Sequence, residues 1–335
     1  MNPQKKVAII KLGALGDVVR TSYIVNAYFK KFNAEISWIT RKNASEILVF
    51  NPAVASIIEF EDIPDNLSFD KVFSLDDELE SIGLLKKLNF NSLEGAYADE
   101  FFNIKYTPKT SKWFDMGLIS KFGKFDADKL KKENLSSHGE IFSKIFDVEK
   151  PMPFFYGCEQ KEKKWHIVKN KKILIGLNLF SGDRWPSKEL VFDEAVIFIH
   201  KISQYLKSLN ANYQIVIFCD NLNSQRAKFY LEQCPYLKLY NTSESLLDFA
   251  AAIKSCDYVI STDSLGLHFA ISQNIPNMSF YTSTSSTEID TFGRGIKINL
   301  NTSEYCSYKK NTNNSSLTGN LLFEEWVKHF TTLKI

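Results

Sequence analysis

No stretch of this sequence holds the ~18 consecutive apolar residues that a membrane-spanning helix needs, and no apolar segment with a small-residue cleavage site follows the N-terminus. Cysteine is scarce: Cys158, Cys219, Cys234, Cys256 and Cys306 are odd in number and never spaced C-x-x-C. That argues against a disulfide framework and a structural zinc site, and for a reducing, cytoplasmic setting. Net charge is nearly absent, at +2 from 41 basic and 39 acidic residues, so no global field draws the chain to nucleic acid. Neither a repeat of fixed period nor a low-complexity tract is present. The G-x-G-x-x-G fingerprint of dinucleotide-binding turns is missing too, which disfavours an NAD-dependent dehydrogenase.

What is present suits a globular α/β protein. The chain has 335 residues, 44% apolar and 24% charged, enough for two domains of about 150 residues each. Val7–Ile10 is a short apolar run ending near Gly13, and residues 18–32 carry apolar side chains at helical spacing. Residues 34–40 alternate like a strand, 44–50 return to helix, and 56–60 and 71–75 look like further strands. Strands alternating with helices imply parallel βαβ units. From about 80 to 150 the pattern weakens into helical stretches with few clear strands. Residues 149–157 hold two prolines and mark the expected junction. Beyond them the alternation restarts: strands at 172–180, 213–220, 237–241, 257–262 and 277–282, helices at 189–209, 223–233 and 244–255, and a last helix over 316–330. Two Rossmann-like halves are the economical architecture.

Three places can carry chemistry. In "KLGALGDVVRT", Gly13 and Gly16 permit a sharp strand-to-helix turn, and Asp17 falls at or near the helix start. It reads either as an N-cap or as a carboxylate at the ligand-binding end of the sheet. In "STDSLGLH", a strand runs into Asp263, Ser264 and Gly266 and then a helix with His268. Free N–H groups there suit a phosphate or diphosphate, although Asp263 and Ser264 could merely cap the helix. In "NLFSGDRWPSKEL", Arg184 and Lys188 lie beside a glycine turn at Gly182, as a fork and a point charge that would fit phosphate oxygens, or as ordinary surface cations. Two acidic clusters are set aside. Asp126 and Asp128 spell the D-x-D of metal-dependent sugar transferases but sit in a lysine-rich helical stretch, and Asp76, Asp77 and Glu78 follow a strand, where they either line the cleft or, the preferred reading, form a solvated loop.

Together the three stretches resemble glycosyltransferase family 9, the bacterial heptosyltransferases of the lipopolysaccharide inner core. The blocks "IIKLGALGDVVRT", "IGLN…SGDRWPSK" and "STDSLGLHFA…TSSTEIDTFGRG" carry the resemblance by their order and spacing. It implies the α/β GT-B fold, two Rossmann-like domains facing each other across a cleft. Residues 1–155 would hold the acceptor, 156–315 the nucleotide sugar, and 316–335 would form a C-terminal helix packing back toward the first domain. It implies inverting transfer of a sugar from a nucleotide-sugar donor, most simply ADP-heptose, to a lipopolysaccharide-core or related glycan, without a metal or other cofactor. Asp17 matches the family's catalytic base. Arg184, Lys188, Asp263, Ser264, Gly266 and His268 match positions that hold the donor diphosphate, and Asp220, ending a strand, stands where such folds often bind a ribose.

The match departs from the family in two places. Leu265 stands where glycine is common, and Leu190 replaces a tryptophan. A second register, aligning Trp185-Pro186 with the family's Trp-Pro, would put Asp183 at the lysine position; the first register keeps a cation for the leaving diphosphate. These departures leave two alternatives, a GT-B enzyme with another nucleotide sugar and a non-catalytic sugar-nucleotide-binding paralogue. Residues 105–132 carry eight lysines against three aspartates, interleaved with Trp113, Phe114, Phe122 and Phe125. That composition fits peripheral contact with an anionic membrane at its cytoplasmic face, or else a solvated helix whose aromatics pack inward.

Overall fold

The computed structural model describes residues 4–182 and 186–333. The chain divides after Tyr156 into two compact units, inside the proline-bearing segment that the sequence marks. Each unit is built on its own six-stranded sheet.

In the first unit the strands are β1 (Lys6–Ile10), β2 (Glu35–Thr40), β3 (Ser56–Glu59), β4 (Ser68–Ser74), β5 (Asn89–Ala98) and β6 (Ile104–Tyr106), in the order β3-β2-β1-β4-β5-β6. All neighbours run parallel except β5 and β6. β1 is buried along Val7, Ala8, Ile9 and Ile10, as expected of a parallel strand covered on both faces. Its register sets Ile10 beside Ile39 of β2 and Ser74 of β4. The first helix (Leu15–Phe32) lays Val18, Val19, Ile24, Val25 and Tyr28 on the core, and Asn33 in the left-handed conformation ends it. Tyr28 meets Phe73 edge-on at 5.4 Å, and Phe73 stacks on Phe146 at 4.3 Å. Phe146 follows the helix His138–Ile145, which starts with a Ser137/Glu140 capping box.

β5 is a ten-residue strand where the sequence suggested mainly helix. Its outer half, Asn89–Glu94, is at most half-buried and polar, so it lacks the apolar run that identifies an inner strand. Gly95 is required there: its φ is 129°, and a Cβ would run into the Ser74 backbone.

The second unit repeats the design with β7 (Ile173–Asn178), β8 (Tyr213–Cys219), β9 (Lys238–Asn241), β10 (Tyr258–Thr262), β11 (Asn277–Tyr281) and β12 (Gly295–Asn299). All are parallel, in the order β12-β11-β10-β7-β8-β9. β12 is a strand the sequence did not announce, because no residue of GIKIN is fully buried. The helix Phe192–Ser208 buries Phe198, Ile199, Ile202 and Leu206 against this sheet. The last helix (Gly319–Phe330) begins at Thr318 and buries Leu322, Trp326 and Phe330 in the same core. The Gly319 N–H donates to Glu194 at 2.6 Å. Its apolar face is therefore packed in the C-terminal unit's own core.

Both sheets reverse their strand order beside their first strand, and at such a switch point the carboxyl ends of the strands form the usual ligand crevice. In the first unit those ends belong to β1 and β4; in the second they belong to β7 and β10. Among the described residues no helix is long and apolar enough to cross a membrane.

Candidate active site in two parts

The first part leaves the end of β1. Asp17 is the third residue of its helix; the N-cap is Ala14, which makes no side-chain cap. Asp17 is thus not the N-cap, and its carboxylate is turned to cations instead. Its Oδ1 lies 2.9 Å from Arg20 Nη2 and its Oδ2 3.5 Å from Lys11 Nζ. Arg20 in turn stands over the Trp113 ring at 5.6 Å. The Asp17 side chain is 26% exposed, against 6% for Lys11 and 4% for Asp76.

Asp76, set aside as part of a solvated loop, is instead a buried member of this group, and that reading is corrected. Its Oδ1 accepts from Lys11 Nζ, and its Oδ2 accepts from the backbone N–H of Leu12 and, at 3.3 Å, of Gly13. β4 ends two residues earlier and lies beside β1, so the loop leaving it runs under the turn; Leu75 N donates to Ile10 O at 3.0 Å. Gly13 makes room for this carboxylate: a Cβ there would stand 3.1 Å from Asp76 Oδ1. Gly16 is buried in the first turn of the helix. Burial alone would lower the Lys11 pKa, but Asp76 and Asp17 outweigh it and hold the ammonium protonated. Asp77 accepts from Leu118 N at 3.1 Å, and Glu78 pairs with Arg41 at 3.4 Å.

The second part lies at the ends of β7 and β10. Lys188 donates to the Asp263 carbonyl at 2.9 Å and to its carboxylate at 2.8 Å, a contact across 75 residues that brings two of the sequence-picked positions together. Thr284 Oγ1 donates to the same carboxylate at 2.8 Å, and His268 Nε2 lies 4.0 Å away. Burial works to raise the Asp263 pKa, but Lys188, His268 and the hydrogen bonds from Lys188 and Thr284 hold it at about 2. Ser264 is the N-cap residue of the helix Leu265–Ser272 without a side-chain cap bond. Its Oγ accepts instead from Asn178 Nδ2 at 2.7 Å.

Asn178, at the carboxyl end of β7, is, like Thr284, a member of this group that sequence reasoning missed. Its Nδ2 also donates to Ser261 Oγ at 2.8 Å, and Gly266 is pressed so close that a Cβ would stand 2.5 Å from Nδ2. Gly266 therefore serves helix-to-strand packing, whatever approaches the helix start. Leu190 is buried in the core cluster, so its side chain faces the hydrophobic interior. Asp220 Oδ1 accepts from the N–H and side-chain amide of Asn223 at 2.8 and 2.9 Å, closing the turn after β8. Arg184 lies outside the described residues.

In the region 105–132, Phe114 is buried and Trp113 packs edge-on against Phe142 at 5.1 Å. Leu118, Phe122 and Phe125 are 75%, 51% and 84% exposed. Only the later part of the stretch therefore presents apolar side chains to solvent. Asp126 and Asp128 lie on the helix Gly123–Glu133, where Asp128 pairs with Lys124 at 2.9 Å.

Comparison with known proteins finds similar sequences and folds. Residues 203–318 match the model of glycosyltransferase family 9 (heptosyltransferase). Lipopolysaccharide heptosyltransferase 1 of Campylobacter coli is 25% identical, with 88% of each chain covered. Among solved structures, a family 9 glycosyl transferase from Veillonella parvula superposes with a TM-score of 0.77 at 17% identity, covering 99% of both chains. An Escherichia coli heptosyltransferase solved with ADP-2-deoxy-2-fluoro heptose superposes with a TM-score of 0.62 at 14% identity, covering 97% of this chain and 99% of that one.

Proposed function

We propose that this chain, a family 9-like glycosyltransferase with two parallel-sheet α/β units of GT-B type, moves a heptose from ADP-heptose to a lipopolysaccharide-core or related surface glycan, inverting the anomeric centre without a metal. The observation that carries the reading is Asp17, the partly exposed carboxylate of a buried charge cluster at the switch point of the first sheet. Asp17 takes the proton of the acceptor hydroxyl as that oxygen bonds to the anomeric carbon. The bond from that carbon to the diphosphate breaks on the opposite face, and ADP departs with the electron pair. One residue acting as base in a single displacement inverts the centre.

The departing charge is met in the C-terminal unit by Lys188 and the start of the helix Leu265–Ser272, whose dipole favours an anion. Arg184 and His268 are the other cationic candidates. The helix terminus, with Lys188 beside it in its pair with Asp263, offers the diphosphate a positive end within the protein, which supports a metal-free reaction. The relatives support the donor: one neighbour is solved with ADP and with an ADP-heptose analogue.

The acceptor is a glycolipid in this reading, and the exposed Leu118, Phe122 and Phe125 beside Lys121 and Lys124 would rest on an anionic leaflet on the cytoplasmic side. Co-sedimentation with anionic but not neutral vesicles, lost on Phe122→Ser with Phe125→Ser, tests that contact.

Calorimetry with ADP, GDP and UDP, with and without magnesium, tests the donor; metal-independent preference for ADP is expected, and preference for another nucleotide would discard the heptose. Transfer from ADP-heptose to a truncated core acceptor, in the presence of a chelator, tests the reaction. Asp17→Asn is expected to bind ADP as the parent does and to lose turnover by roughly 10²-fold or more. Retained turnover would mean that Asp17 is not the base.

A further inference from the structure

We propose that Asp76 and Lys11 are positioning residues for this transfer: Asp76 locks the turn that carries Asp17, and Lys11 holds the Asp17 carboxylate in place as an anion. The proposal rests on reading Asp17 as the base, and it adds a mechanism for how the base is aimed and kept charged.

Three observations carry it. First, Lys11 and Asp76 are 5% and 4% exposed, and 65 residues separate them. A buried ion pair roughly breaks even against apolar side chains of the same size, so stability alone does not explain its presence; fixing one arrangement does. Second, the Asp76 carboxylate accepts from Lys11 and from the N–H groups of Leu12 and Gly13. In a phosphate-binding turn such N–H groups would face the ligand. Here a protein carboxylate already holds them, which commits the turn to carrying Asp17 and not to binding a diphosphate. Third, Gly13 leaves only van der Waals space above Asp76 Oδ1, so a side chain at position 13 would press directly on the clamp.

The described cations beside Asp17 define the test. Lys11 approaches from the turn at 3.5 Å and Arg20 from its own helix at 2.9 Å, while Asp76 stands behind Lys11. Arg20 remains when Lys11 is neutralised, so the carboxylate loses one close cation and keeps another. Burial would favour the neutral amine at position 11, yet the two aspartates keep it protonated.

The experiment uses the full chain as Lys11→Met, Lys11→Arg, Asp76→Asn and the double variant Lys11→Met/Asp76→Asn, which removes both buried charges and guards against misfolding of the single changes. ADP calorimetry and thermal melting report folding. Titration of the Asp17 carboxyl, followed by carbon NMR with aspartate-labelled protein and assigned with Asp17→Asn, reads the charge contact without substrate. In Lys11→Met the midpoint is expected to rise by about one pH unit or more, the size of a lost close cation. Lys11→Arg should keep it near the parent value.

With ADP-heptose and a truncated core acceptor, the acid limb of the kcat profile should move with that midpoint. kcat should fall about tenfold or more in Lys11→Met and Asp76→Asn while the donor KM stays within about twofold. Recovery of kcat in Lys11→Arg supports the positioning role. An Asp17 midpoint that moves by less than about 0.3 unit in a folded Lys11→Met, or a kcat loss matched by lost ADP binding and melting temperature, overturns it. A shifted midpoint with full turnover in Asp17→Asn would sink the base reading and leave the hold of Lys11 on Asp17 standing.

Discussion

Replacing Gly266 by alanine should dislodge the amide that supports the C-terminal site. The new Cβ would stand 2.5 Å from Asn178 Nδ2, 2.6 Å from its Cγ and 3.1 Å from its Cβ, where carbon contacts prefer about 3.5–4.0 Å. Rotation of the amide cannot clear the clash, because the Asn178 Cβ is itself too near. Moving the side chain breaks the bonds to Ser261 and Ser264, about 1 kcal/mol each, and leaves a buried amide unsatisfied at about 1–3 kcal/mol. Against this, alanine in a helix gains about 1 kcal/mol over glycine. The balance is a loss of about 2–4 kcal/mol, with the start of the helix Leu265–Ser272 pushed away from β7. Urea unfolding should show the loss and ADP calorimetry a weakened site. In an Asn178→Ala background only the 3.1 Å approach to the remaining Cβ is left, so the same change should cost clearly less, giving a coupling of more than about 1 kcal/mol. If Gly266→Ala stabilises the parent protein and leaves ADP affinity unchanged, the packing argument is refuted.

Two further outcomes follow from burial and charge. Trp326→Ala should cost about 3–5 kcal/mol, since the indole is fully buried and stacks on Phe330 at 4.5 Å; urea unfolding checks it, and a cost below about 1 kcal/mol would mean the last helix is not part of the core. Asp263 has its pKa depressed from 3.8 to about 2, so its charge contributes stability above about pH 4 that is lost as pH falls through about 2. Asp263→Asn should therefore cost on the order of 2 kcal/mol at neutral pH, with the gap closing in urea titrations run from pH 4 downward; a gap that stays constant would contradict the ion pair.

The strands that position the site were legible because parallel strands buried on both faces read as unbroken apolar runs: Val7–Ile10, Ile173–Leu177 and Tyr258–Ile260 all do. β5 and β12 were not, since half-exposed strands carry polar residues without a strict alternation. The positions of Asp17, Lys188 and Asp263 followed from turns at strand ends, but their partners did not. Asp76 looked solvated because its neighbours in sequence are acidic, while its partner lies 65 residues earlier. The strand order β2-β1-β4 would have exposed it, because the segment after β4 must then pass beneath the turn after β1. Gly266 was read as making room for an anion, and the amide it accommodates, Asn178, comes from a strand 83 residues before Ser261 and 86 before Ser264. In both cases the missing information was which strand ends are neighbours.

The two switch points use the same geometry for opposite ends. At the first, a carboxylate from the adjacent strand end fills the backbone N–H groups of the turn, and its charge is closed off by Lys11. An added anion there would face Asp76 and Asp17 at close range, and like charges disfavour each other strongly where water is scarce. At the second, the side chain reaching the helix start from the adjacent strand is a neutral amide, Asn178, and the nearby carboxylate of Asp263 is turned to Lys188 and Thr284. The helix dipole there is left without a carboxylate from β7 to oppose an incoming phosphate. A base needs a fixed, charged turn, and a donor site needs a turn that accepts charge. The residue at the neighbouring strand end, Asp76 in one sheet and Asn178 in the other, decides which of the two each switch point becomes.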